Sequence, residues 1–374
     1  MKNQILQFGT SRFLQAHADL FVHEAREAGQ DIGPITVVKT THSLERAGRV
    51  AAFGDPSGYQ VRIRGLSDGA LVERSVWVRS VVAGLDAHEN WPQVQDEFVC
   101  RTAIVICNVG EAGYAVSAED IALGPDDSKL PAGFPAKLLR LLLARFYGGA
   151  LPLLILPCEL ISENGKVLRG VLRDLAITWK LDDSFLTWLG AQVNICNTLV
   201  DRIVSEPLEP IGAITEPYAL WAIEASDPLT IPFSHPAIVV TDDLTPFLRL
   251  KLHILNLGHS FLAQIWMAEK HQPDETVREI LNDPDILMRL TELYRQDIVP
   301  GFTVWGMRAE AQAYVISTLE RFRNPYLNHR LSDIFHNHAL KVQRRGADFL
   351  TWVRQRDATF KMELVDRLVK AVAL

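Results

Sequence analysis

The chain has 374 residues, a length that favours two domains, and its 48% hydrophobic residues are enough for sizeable cores. A formal net charge of -7 argues against a protein built to neutralise nucleic-acid phosphates and gives no support for electrostatic docking to a membrane. The four cysteines have no Cys-x-x-Cys spacing, and no apolar run of about 18 residues occurs. We therefore expect reduced thiols and a cytoplasmic protein.

The N-terminal half alternates short apolar strands with helices, a pattern typical of an α/β fold. A strand at 4–8 is followed by Gly9, a helix at 12–28 and a second strand at 35–39, which is the opening of a dinucleotide-binding unit. Further strands are predicted at 59–64, 75–82, 103–108 and 151–157, with a hairpin turn at 67–69 and a helix at 136–146.

Beyond about residue 180 the strand-like runs become rare and helical periodicity dominates. The predicted helices lie at 183–204, 245–269, 274–282, 284–297, 307–322 and 339–371. The sequence thus predicts an α/β Rossmann-type N-terminal domain over residues 1–225 and an all-α C-terminal domain over residues 226–374.

The turn after the first strand is the candidate cofactor site. Gly9 lies where such a fold turns tightly and approaches a pyrophosphate, and Ser11 lies where a second glycine is usual. Lys39 ends the second strand, where an acid would bind the ribose of NAD and a base would accommodate the 2′-phosphate of NADP, so it tilts mildly toward NADP. The predicted cofactor-binding residues are Phe8, Gly9, Thr10, Ser11, Phe13, Lys39 and Asn108.

The segment 248–262 is apolar on nearly all sides of a helix, which predicts that it is buried. At about 100° per residue, Lys251, His259 and Asn256 project at roughly 0°, 80° and 140° and share one arc. A desolvated lysine can act as general base in alcohol oxidation, and Asn256 and His259 can donate hydrogen bonds to a developing oxyanion. A buried structural cluster, with Lys251 extending to the surface, is the alternative interpretation.

A zinc mechanism is not expected. The nearby histidines His235, His253, His259 and His271 lack HxxH or HExxH spacing, and no cysteine lies close in sequence to complete a set of ligands. The predicted metal-ligand set is therefore none.

Several stretches, found in the expected order along the chain, resemble the polyol-specific long-chain dehydrogenases, the mannitol dehydrogenase family. They are the run 251–260 with Lys251, Asn256 and His259, then 8–9 with Phe13, 197–203, 216–221 and 321–326. Within this family the stretches 63–66, 111–113, 135–138, 157–161, 164–165 and 323–326 with His329 are most similar to the reductases of tagaturonate and fructuronate. Leu160 also stands where mannitol 2-dehydrogenases usually carry an asparagine.

The resemblance implies metal-independent hydride transfer between a nicotinamide cofactor, NAD with NADP possible, and an open-chain ketose acid or its aldonate. Lys251 would be the general acid/base, and Asn256 and His259 would polarise the substrate oxygen. Asp201, Arg321 and His329 would line the substrate site. A substrate carboxylate needs a cationic partner, and the candidates are Arg202, Arg321 and Arg323.

Two alternatives remain. The first is a polyol 2-dehydrogenase acting on neutral sugar alcohols such as mannitol or arabinitol. The second is a non-catalytic nucleotide-sensing protein, because Ser11 and Gln15 stand where the family usually has a glycine and an arginine. The expected partners are a small sugar acid or polyol, without nucleic acid or membrane, and the expected state is a monomer or homodimer.

Overall fold

The computed structural model describes residues 3–41, 47–225, 227 and 231–372. The chain divides into two compact units. The first comprises Met1–Arg62, Ser75–Thr215 and Ala219–Leu244, and the second comprises Ile63–Arg74, Glu216–Tyr218 and Thr245–Leu374. The predicted fold class, an α/β unit followed by a helical one, is confirmed. The predicted boundary after residue 225 stays a prediction; the second unit also includes two short segments from earlier in the chain.

Strands occur in the N-terminal two thirds of the described residues. They are β1 (Asn3–Phe8), β2 (Ile32–Lys39), β3 (Tyr59–Ser67), β4 (Ala70–Val78), β5 (Val81–Asp86), β6 (Thr102–Cys107), β7 (Leu153–Pro157), β8 (Val193–Ile195), β9 (Thr198–Asp201), β10 (Val204–Pro207), β11 (Ala213–Thr215), β12 (Leu220–Glu224) and β13 (Ile238–Thr241). The helices among them are α1 (Arg12–Gln15), α2 (Ala18–Glu27), α3 (Ala47–Ala52), α4 (Trp91–Cys100), α5 (Ala118–Leu123), α6 (Phe134–Tyr147), α7 (Asn164–Thr178) and α8 (Asp183–Gln192), with a 3₁₀ turn at Glu111–Tyr114.

The main sheet of the first unit is parallel throughout, in the order β5-β2-β1-β6-β7-β8. Counting only these six strands along the chain, the order is 3-2-1-4-5-6, which is that of dinucleotide-binding folds. Its strands are apolar because helices cover both faces, and β7 is buried along its whole length. The strand order reverses between β1 and β6, so their carboxyl ends form the crevice where such folds bind ligands.

The region 193–241 differs from the sequence analysis. The predicted helix 183–204 ends at Gln192, and β8 to β13 follow instead. β12 pairs with β9 and β13 in a three-stranded sheet, and β10 and β11 join β3 and β4 in a four-stranded one. These strands are only three to five residues long, so they are too short for a clear alternation of polar and apolar residues, and pairing with neighbours decides their conformation.

Two other predicted elements of the first unit have different outcomes. The predicted helix 12–28 is broken into α1 and α2 at Ala16 and His17. The buried ring of His17 lies 3.1 Å from the carbonyl oxygen of Leu220, which fixes the break. The hairpin turn between β3 and β4 is confirmed: Asp68 and Gly69 have φ of 51° and 74°, left-handed values that an Asp-Gly pair favours.

The second unit is helical. Its elements are α9 (Thr245–Leu250), the π-helical turn π1 (Lys251–Asn256), α10 (Leu257–Ala268), α11 (Val277–Ile280), α12 (Pro284–Leu293), π2 (Tyr294–Ile298), α13 (Val299–Val304), α14 (Arg308–Phe322), α15 (Leu331–Phe335), α16 (His338–Val342), π3 (Gln343–Ala347), α17 (Asp348–Arg356) and α18 (Glu363–Ala371). They enclose one apolar core, to which Leu255, Leu290, Phe302 and Phe349 contribute. Within the described part of the chain, no helix is both long and apolar enough to cross a membrane.

Candidate active site

The segment that carries Lys251, Asn256 and His259 is not a uniform α-helix. Between α9 and α10 lies the turn π1, and the N–H of Leu257 donates to the carbonyl of Leu252, five residues earlier. The wider turn holds one extra residue. The residues after it are therefore rotated back about the helix axis by about 100° relative to a regular α-helix. The three residues then project at roughly 0°, 40° and -20°, an arc of about 60° where the α-helical estimate gave about 140°. With the π turn we therefore expect the three side chains to lie closer together than a regular α-helix would place them.

His259 lies in an aromatic and cationic environment inside the second unit. Its ring centroid is 4.4 Å from that of Phe322 and 4.8 Å from that of His329. Burial holds the pKa of His259 well below its ordinary value, and the positive charges of His329, Arg345, Arg321 and Lys341 act in the same direction. The imidazole is therefore neutral at physiological pH and keeps one N–H that can donate to a substrate oxygen.

His329, which the resemblance implied as a substrate contact, does lie beside His259. Its Nδ1 is buried and has no hydrogen-bond partner within the described residues. Burial lowers its pKa, the carboxylate of Asp333 acts in the opposite direction, and Lys341 and Arg345 lower it further. A buried ring nitrogen without a partner suits a site that a substrate hydroxyl or carboxylate completes.

Arg321 has a partner inside its own unit. Its Nε and Nη2 donate to the carboxylate of Glu216 at 3.0 and 2.9 Å, and both side chains are almost wholly buried. The guanidinium also lies over the ring of Tyr218, 4.4 Å from its centroid. A bidentate pair of this kind neutralises the arginine, which disfavours Arg321 as the binder of a substrate carboxylate. Glu216 is a site residue that sequence reasoning missed, although it begins the resembling run 216–221.

The other two arginine candidates are also placed unfavourably. Arg202 is buried in the first unit, where Nη1 donates to the carbonyl of Ala16 at 2.7 Å. Arg323 is exposed and forms the C-cap of α14. Asp201, the last residue of β9, is buried opposite Leu220 in the three-stranded sheet. Their roles as substrate contacts stay predictions that this placement does not favour.

The cations that do act on His259 and His329 are Lys341 and Arg345. Lys341 lies on α16 and Arg345 lies in π3. Both lower the pKa of the two imidazoles. Sequence reasoning missed them because nothing in the spacing of 339–371 distinguishes them from solvated charges on a helix surface.

At the crevice of the first unit, Gly9 follows β1 and Asn108 follows β6. Gly9 has φ of 116°, and a Cβ there would lie 2.5 Å from the carbonyl oxygen of Asn108. The N–H of Asn108 donates to the carbonyl of Phe8 at 3.0 Å, and its side-chain amide donates to the carbonyl of Cys158 at 2.7 Å. Only glycine fits this close approach. The bare backbone at the point of strand reversal fits a dinucleotide.

The remaining residues of the turn have mixed roles. The ring of Phe8 is fully buried against Phe134, with centroids 5.3 Å apart, so its predicted contact with a cofactor stays a prediction that the burial of the ring does not favour. The Ser11 hydroxyl accepts from the N–H of Leu14 at 3.2 Å and caps α1. Thr10 is buried, and Phe13 stacks on His17 at 4.7 Å between centroids.

The side chain of Gln15 stabilises the turn after β1. Its side-chain oxygen accepts from the N–H of Gly212 at 2.6 Å, and its amide donates to the carbonyl of Thr10 at 3.3 Å. The side chain is fully buried. The departure from arginine at this position therefore has a structural explanation and does not by itself argue against cofactor binding.

Lys39 ends β2 opposite Asp86, the last residue of the parallel neighbour β5. Its ammonium donates to the Asp86 carboxylate at 2.6 Å, and both side chains are largely buried. The following carbonyl, that of Thr40, accepts from the fully buried Lys137 at 3.1 Å. The sequence analysis found no acid at the end of β2 because the acid is Asp86, which lies 47 residues after Lys39 at the end of β5.

Glu159 is a further residue of this region that sequence reasoning did not single out. It follows β7, and its carboxylate accepts from the N–H of Val109 at 2.9 Å and from the hydroxyl of Tyr114 at 2.7 Å. Burial raises its pKa. Glu159 thus fixes the loop that leaves β6 beside the crevice. Across the described residues, no three or more His, Cys, Asp or Glu side chains are grouped as metal ligands.

The two parts of the chain match two family descriptions. Residues 3–231 match the mannitol dehydrogenase Rossmann domain, and residues 243–374 match the mannitol dehydrogenase C-terminal domain. Altronate oxidoreductase of Halalkalibacterium halodurans is 29% identical over 367 residues, covering 92% of this chain and 70% of that protein. Altronate oxidoreductase of Bacillus subtilis is 28% identical over 390 residues, covering 98% and 77%.

Two solved structures share the fold. A substrate-free D-sorbitol dehydrogenase has a TM-score of 0.82 at 18% identity and covers 98% of this chain and 80% of its own. The ternary complex of Pseudomonas fluorescens mannitol 2-dehydrogenase with NAD and D-mannitol has a TM-score of 0.74 at 18% identity, with coverage of 100% and 79%. Because the matched domains span nearly its whole length, the chain belongs to the mannitol dehydrogenase family, whose members are dehydrogenases and reductases acting on CH–OH groups.

Proposed function

We propose that this chain is an NAD-dependent oxidoreductase, with NADP possible, that interconverts an open-chain ketose acid and its aldonate. The curated relatives named altronate oxidoreductase support a sugar acid of the tagaturonate/altronate or fructuronate/mannonate type. The observation that supports the proposal is the turn π1, which carries Lys251 and Asn256 and ends three residues before His259; from ideal helix geometry we expect the three side chains to share an arc of about 60°. We also propose a cytoplasmic protein that is a monomer or homodimer.

The arrangement divides the chemistry among three side chains. In oxidation, Nζ of Lys251 accepts the proton of the substrate hydroxyl while a hydride leaves the carbon that bears it. Asn256 and the neutral His259 donate hydrogen bonds to the same oxygen, which carries increasing negative charge along the reaction. A bound nicotinamide would supply the hydride acceptor. In reduction, Lys251 returns the proton to the alkoxide oxygen.

The charges around the imidazoles favour an anionic substrate. Lys341 and Arg345 are close enough to lower the pKa of both His259 and His329. The carboxylate of Glu216 is bound to Arg321. It therefore does not neutralise Lys341 or Arg345. A substrate carboxylate would be stabilised by their positive potential, whereas a neutral polyol would gain little from it.

The test is a substrate panel with both nicotinamide cofactors, comparing ketose acids with neutral ketoses of the same chain length. We expect kcat/KM to be at least about tenfold higher for a ketose acid, which corresponds to about 1.4 kcal/mol of transition-state stabilisation. Equal or better turnover of mannitol or arabinitol would favour the polyol 2-dehydrogenase alternative. Failure of both cofactors to bind in calorimetry would favour the nucleotide-sensing alternative only if another nucleotide binds.

The proton-transfer role is tested by Lys251→Ala. We expect kcat to fall by about 10²–10⁴-fold, the usual contribution of a general acid/base, while the Kd of the cofactor stays within about threefold of the wild-type value. The matched control is Lys370→Ala, because Lys370 is exposed on α18 and should keep full activity. Wild-type turnover in Lys251→Ala would contradict the assignment.

A further inference from the structure

The second unit contains three π-helical turns that pack together. Each is closed by a hydrogen bond from an N–H to the carbonyl five residues earlier: Leu257 to Leu252 in π1, Val299 to Tyr294 in π2 and Asp348 to Gln343 in π3. π1 contacts both π2 and π3. π-helical turns are rare and are found disproportionately at functional sites, and here the turn at the centre carries Lys251 and Asn256.

Side chains from π2 and π3 bind the backbone of π1. The hydroxyl of Tyr294, the first residue of π2, donates to the carbonyl of Ile254 at 3.1 Å. Nη1 of Arg345, in the middle of π3, donates to the carbonyl of Asn256 at 3.0 Å. A widened turn departs from the regular hydrogen bonding of an α-helix, and these two contacts add side-chain donors to its carbonyls; the carbonyl of Ile254 also accepts from the N–H of Leu257.

Arg345 binds the chain at or next to both proposed oxyanion donors, Asn256 and His259. The same Nη1 also donates to the hydroxyl of Ser260 at 2.9 Å, and Ser260 follows His259 directly. In return, Nδ1 of His253, within π1, lies 2.9 Å from the backbone carbonyl of Arg345. π1 and π3 are thus joined in both directions, by a side chain of each to the backbone of the other.

Arginine is suited to this position because its nitrogen carries two N–H groups in a fixed plane and stays charged. Burial lowers the pKa of Arg345 to about 10, which still leaves the guanidinium protonated at neutral pH. Ser260 is fully buried, so loss of the Arg345 donor would leave its hydroxyl without water as a replacement.

We propose that Arg345 is a positioning residue for the reaction of this site. By bridging the carbonyl of Asn256 and the hydroxyl of Ser260, it keeps π1 in its widened form and fixes the distance between Asn256 and His259. The consequence for turnover rests on the proposed function; the consequence for the conformation of π1 does not.

The kinetic test uses Arg345→Met, which removes both hydrogen bonds, and Arg345→Lys, which keeps the charge. Single-turnover hydride transfer at saturating substrate separates positioning from folding, because the amplitude counts competent molecules and the rate reports their geometry. We expect the rate to fall by about 10²-fold in Arg345→Met and less in Arg345→Lys, since misplacement by about 1 Å costs this much. A reduced amplitude with a wild-type rate in both variants would overturn the proposal.

The matched control is Arg145→Met. Arg145 is also a buried helical arginine that donates to backbone carbonyls, those of Leu151, Phe98 and Pro152. It lies in the first unit, on α6. We expect this variant to lose thermal stability and amplitude but to keep the single-turnover rate. A rate loss equal to that of Arg345→Met would also overturn the proposal, because the effect would then be a general one of removing buried arginine.

The structural test needs no substrate. Hydrogen–deuterium exchange of peptides covering residues 251–260 should be at least about tenfold faster in Arg345→Met than in the wild type, with peptides from α12 unchanged. Unchanged exchange at 251–260 would overturn the positioning role whether or not the enzyme acts on sugar acids. Faster exchange in a protein that turns over no ketose acid or polyol would support the role and contradict only the proposed function.

Discussion

At the scale of single residues, buried charges here are paired with other residues of the chain. Lys39 is bound by Asp86, and Arg321 is bound by Glu216. Each partner is far away in sequence, so a motif search sees the base and misses the acid that neutralises it. This is why Lys39 suggested NADP and Arg321 suggested a substrate carboxylate, although neither cation is without a counter-charge.

The Lys39–Asp86 pair makes cofactor choice testable. Asp86→Asn removes the counter-charge of Lys39, whose ammonium then becomes able to bind the 2′-phosphate of NADP. We expect the ratio of kcat/KM with NADP to that with NAD to rise by about tenfold, equivalent to about 1.4 kcal/mol, the order of one charge-assisted hydrogen bond. The measurement is a pair of initial-rate series with the two cofactors.

The control for that variant is the double substitution Lys39→Met with Asp86→Asn. It lacks the cation, so the gain with NADP should disappear. An equal gain in the double variant would show that Lys39 does not contact the 2′-phosphate, and the change would then belong to the loop after β2, which Lys137 binds at Thr40.

At the scale of elements, strands with long apolar runs were predictable from the sequence. Short strands and π-helical turns were not. β1, β2, β6 and β7 follow from their sequences because apolar runs in a covered parallel sheet are nearly continuous. β9 to β13 depend on pairing with residues elsewhere in the chain. A helical-wheel projection does not reveal the turn π1. The inserted residue changes the angular positions of the residues after it without changing the amino-acid composition of the segment. The shared site of Lys251, Asn256 and His259 therefore stays a prediction, and the helical angles assumed for it have to be replaced by those of a helix with one inserted residue.

The packing of the first turn of α10, directly after π1, against π2 can be tested through Gly258. A Cβ at this position would overlap the hydroxyl of Tyr294 and lie 3.1 Å from Cε2 of Phe322. We expect Gly258→Ala to destabilise the second unit by about 1–3 kcal/mol, as overpacking in a filled core does. It should also reduce turnover, because the hydroxyl would move away from the carbonyl of Ile254. Urea unfolding and steady-state rates measure the two effects.

Gly170→Ala is the matched substitution for this test. Gly170 is also helical, lies on α7, and a Cβ there would meet nothing within 4 Å. It should be stabilising by about 0.4–1 kcal/mol because alanine restricts the unfolded chain. Adding Tyr294→Phe to Gly258→Ala should recover part of the lost stability. If Gly258→Ala is as stable as the wild type, the close packing of the first turn of α10 on Tyr294 of π2 is wrong.

At the scale of the whole molecule, the family resemblance predicted more than the individual motifs did. The order of resembling stretches correctly gave the fold class, and it named His329, which the structure brings beside His259. It could not separate residues that support the fold from residues that face a ligand, because both recur in a family. Phe8, Arg202 and Gln15 are all buried, and the side chains of Arg202 and Gln15 bind backbone groups of the chain, which is a structural role that the resemblance did not indicate.

Buried titratable groups give the whole molecule a pH-dependent stability. Burial lowers the pKa of His17 to about 3 and that of His253 to about 4. The unfolded chain binds these protons first, so the stability they contribute is present above about pH 6.5 and is lost as the pH falls. Asp19 acts in the opposite direction: burial raises its pKa to about 7, so its contribution is present below about pH 4 and is lost as the pH rises toward 7.

Among these three groups, the two histidines make stability increase from about pH 4 to about pH 6.5, and Asp19 reduces the slope; the lowered pKa of His338 acts with the histidines and the raised pKa of Glu159 acts with Asp19. Asp19→Asn removes the opposing contribution but keeps an oxygen that can accept from the hydroxyl of Tyr59, now bound at 2.6 Å. We expect this variant to show a steeper rise of melting temperature with pH than the wild type, followed by calorimetry between pH 4.5 and 8. Asp31→Asn, at an exposed position, should leave the slope unchanged. A slope in Asp19→Asn equal to or shallower than that of the wild type would mean that Asp19 is already ionised in the folded protein.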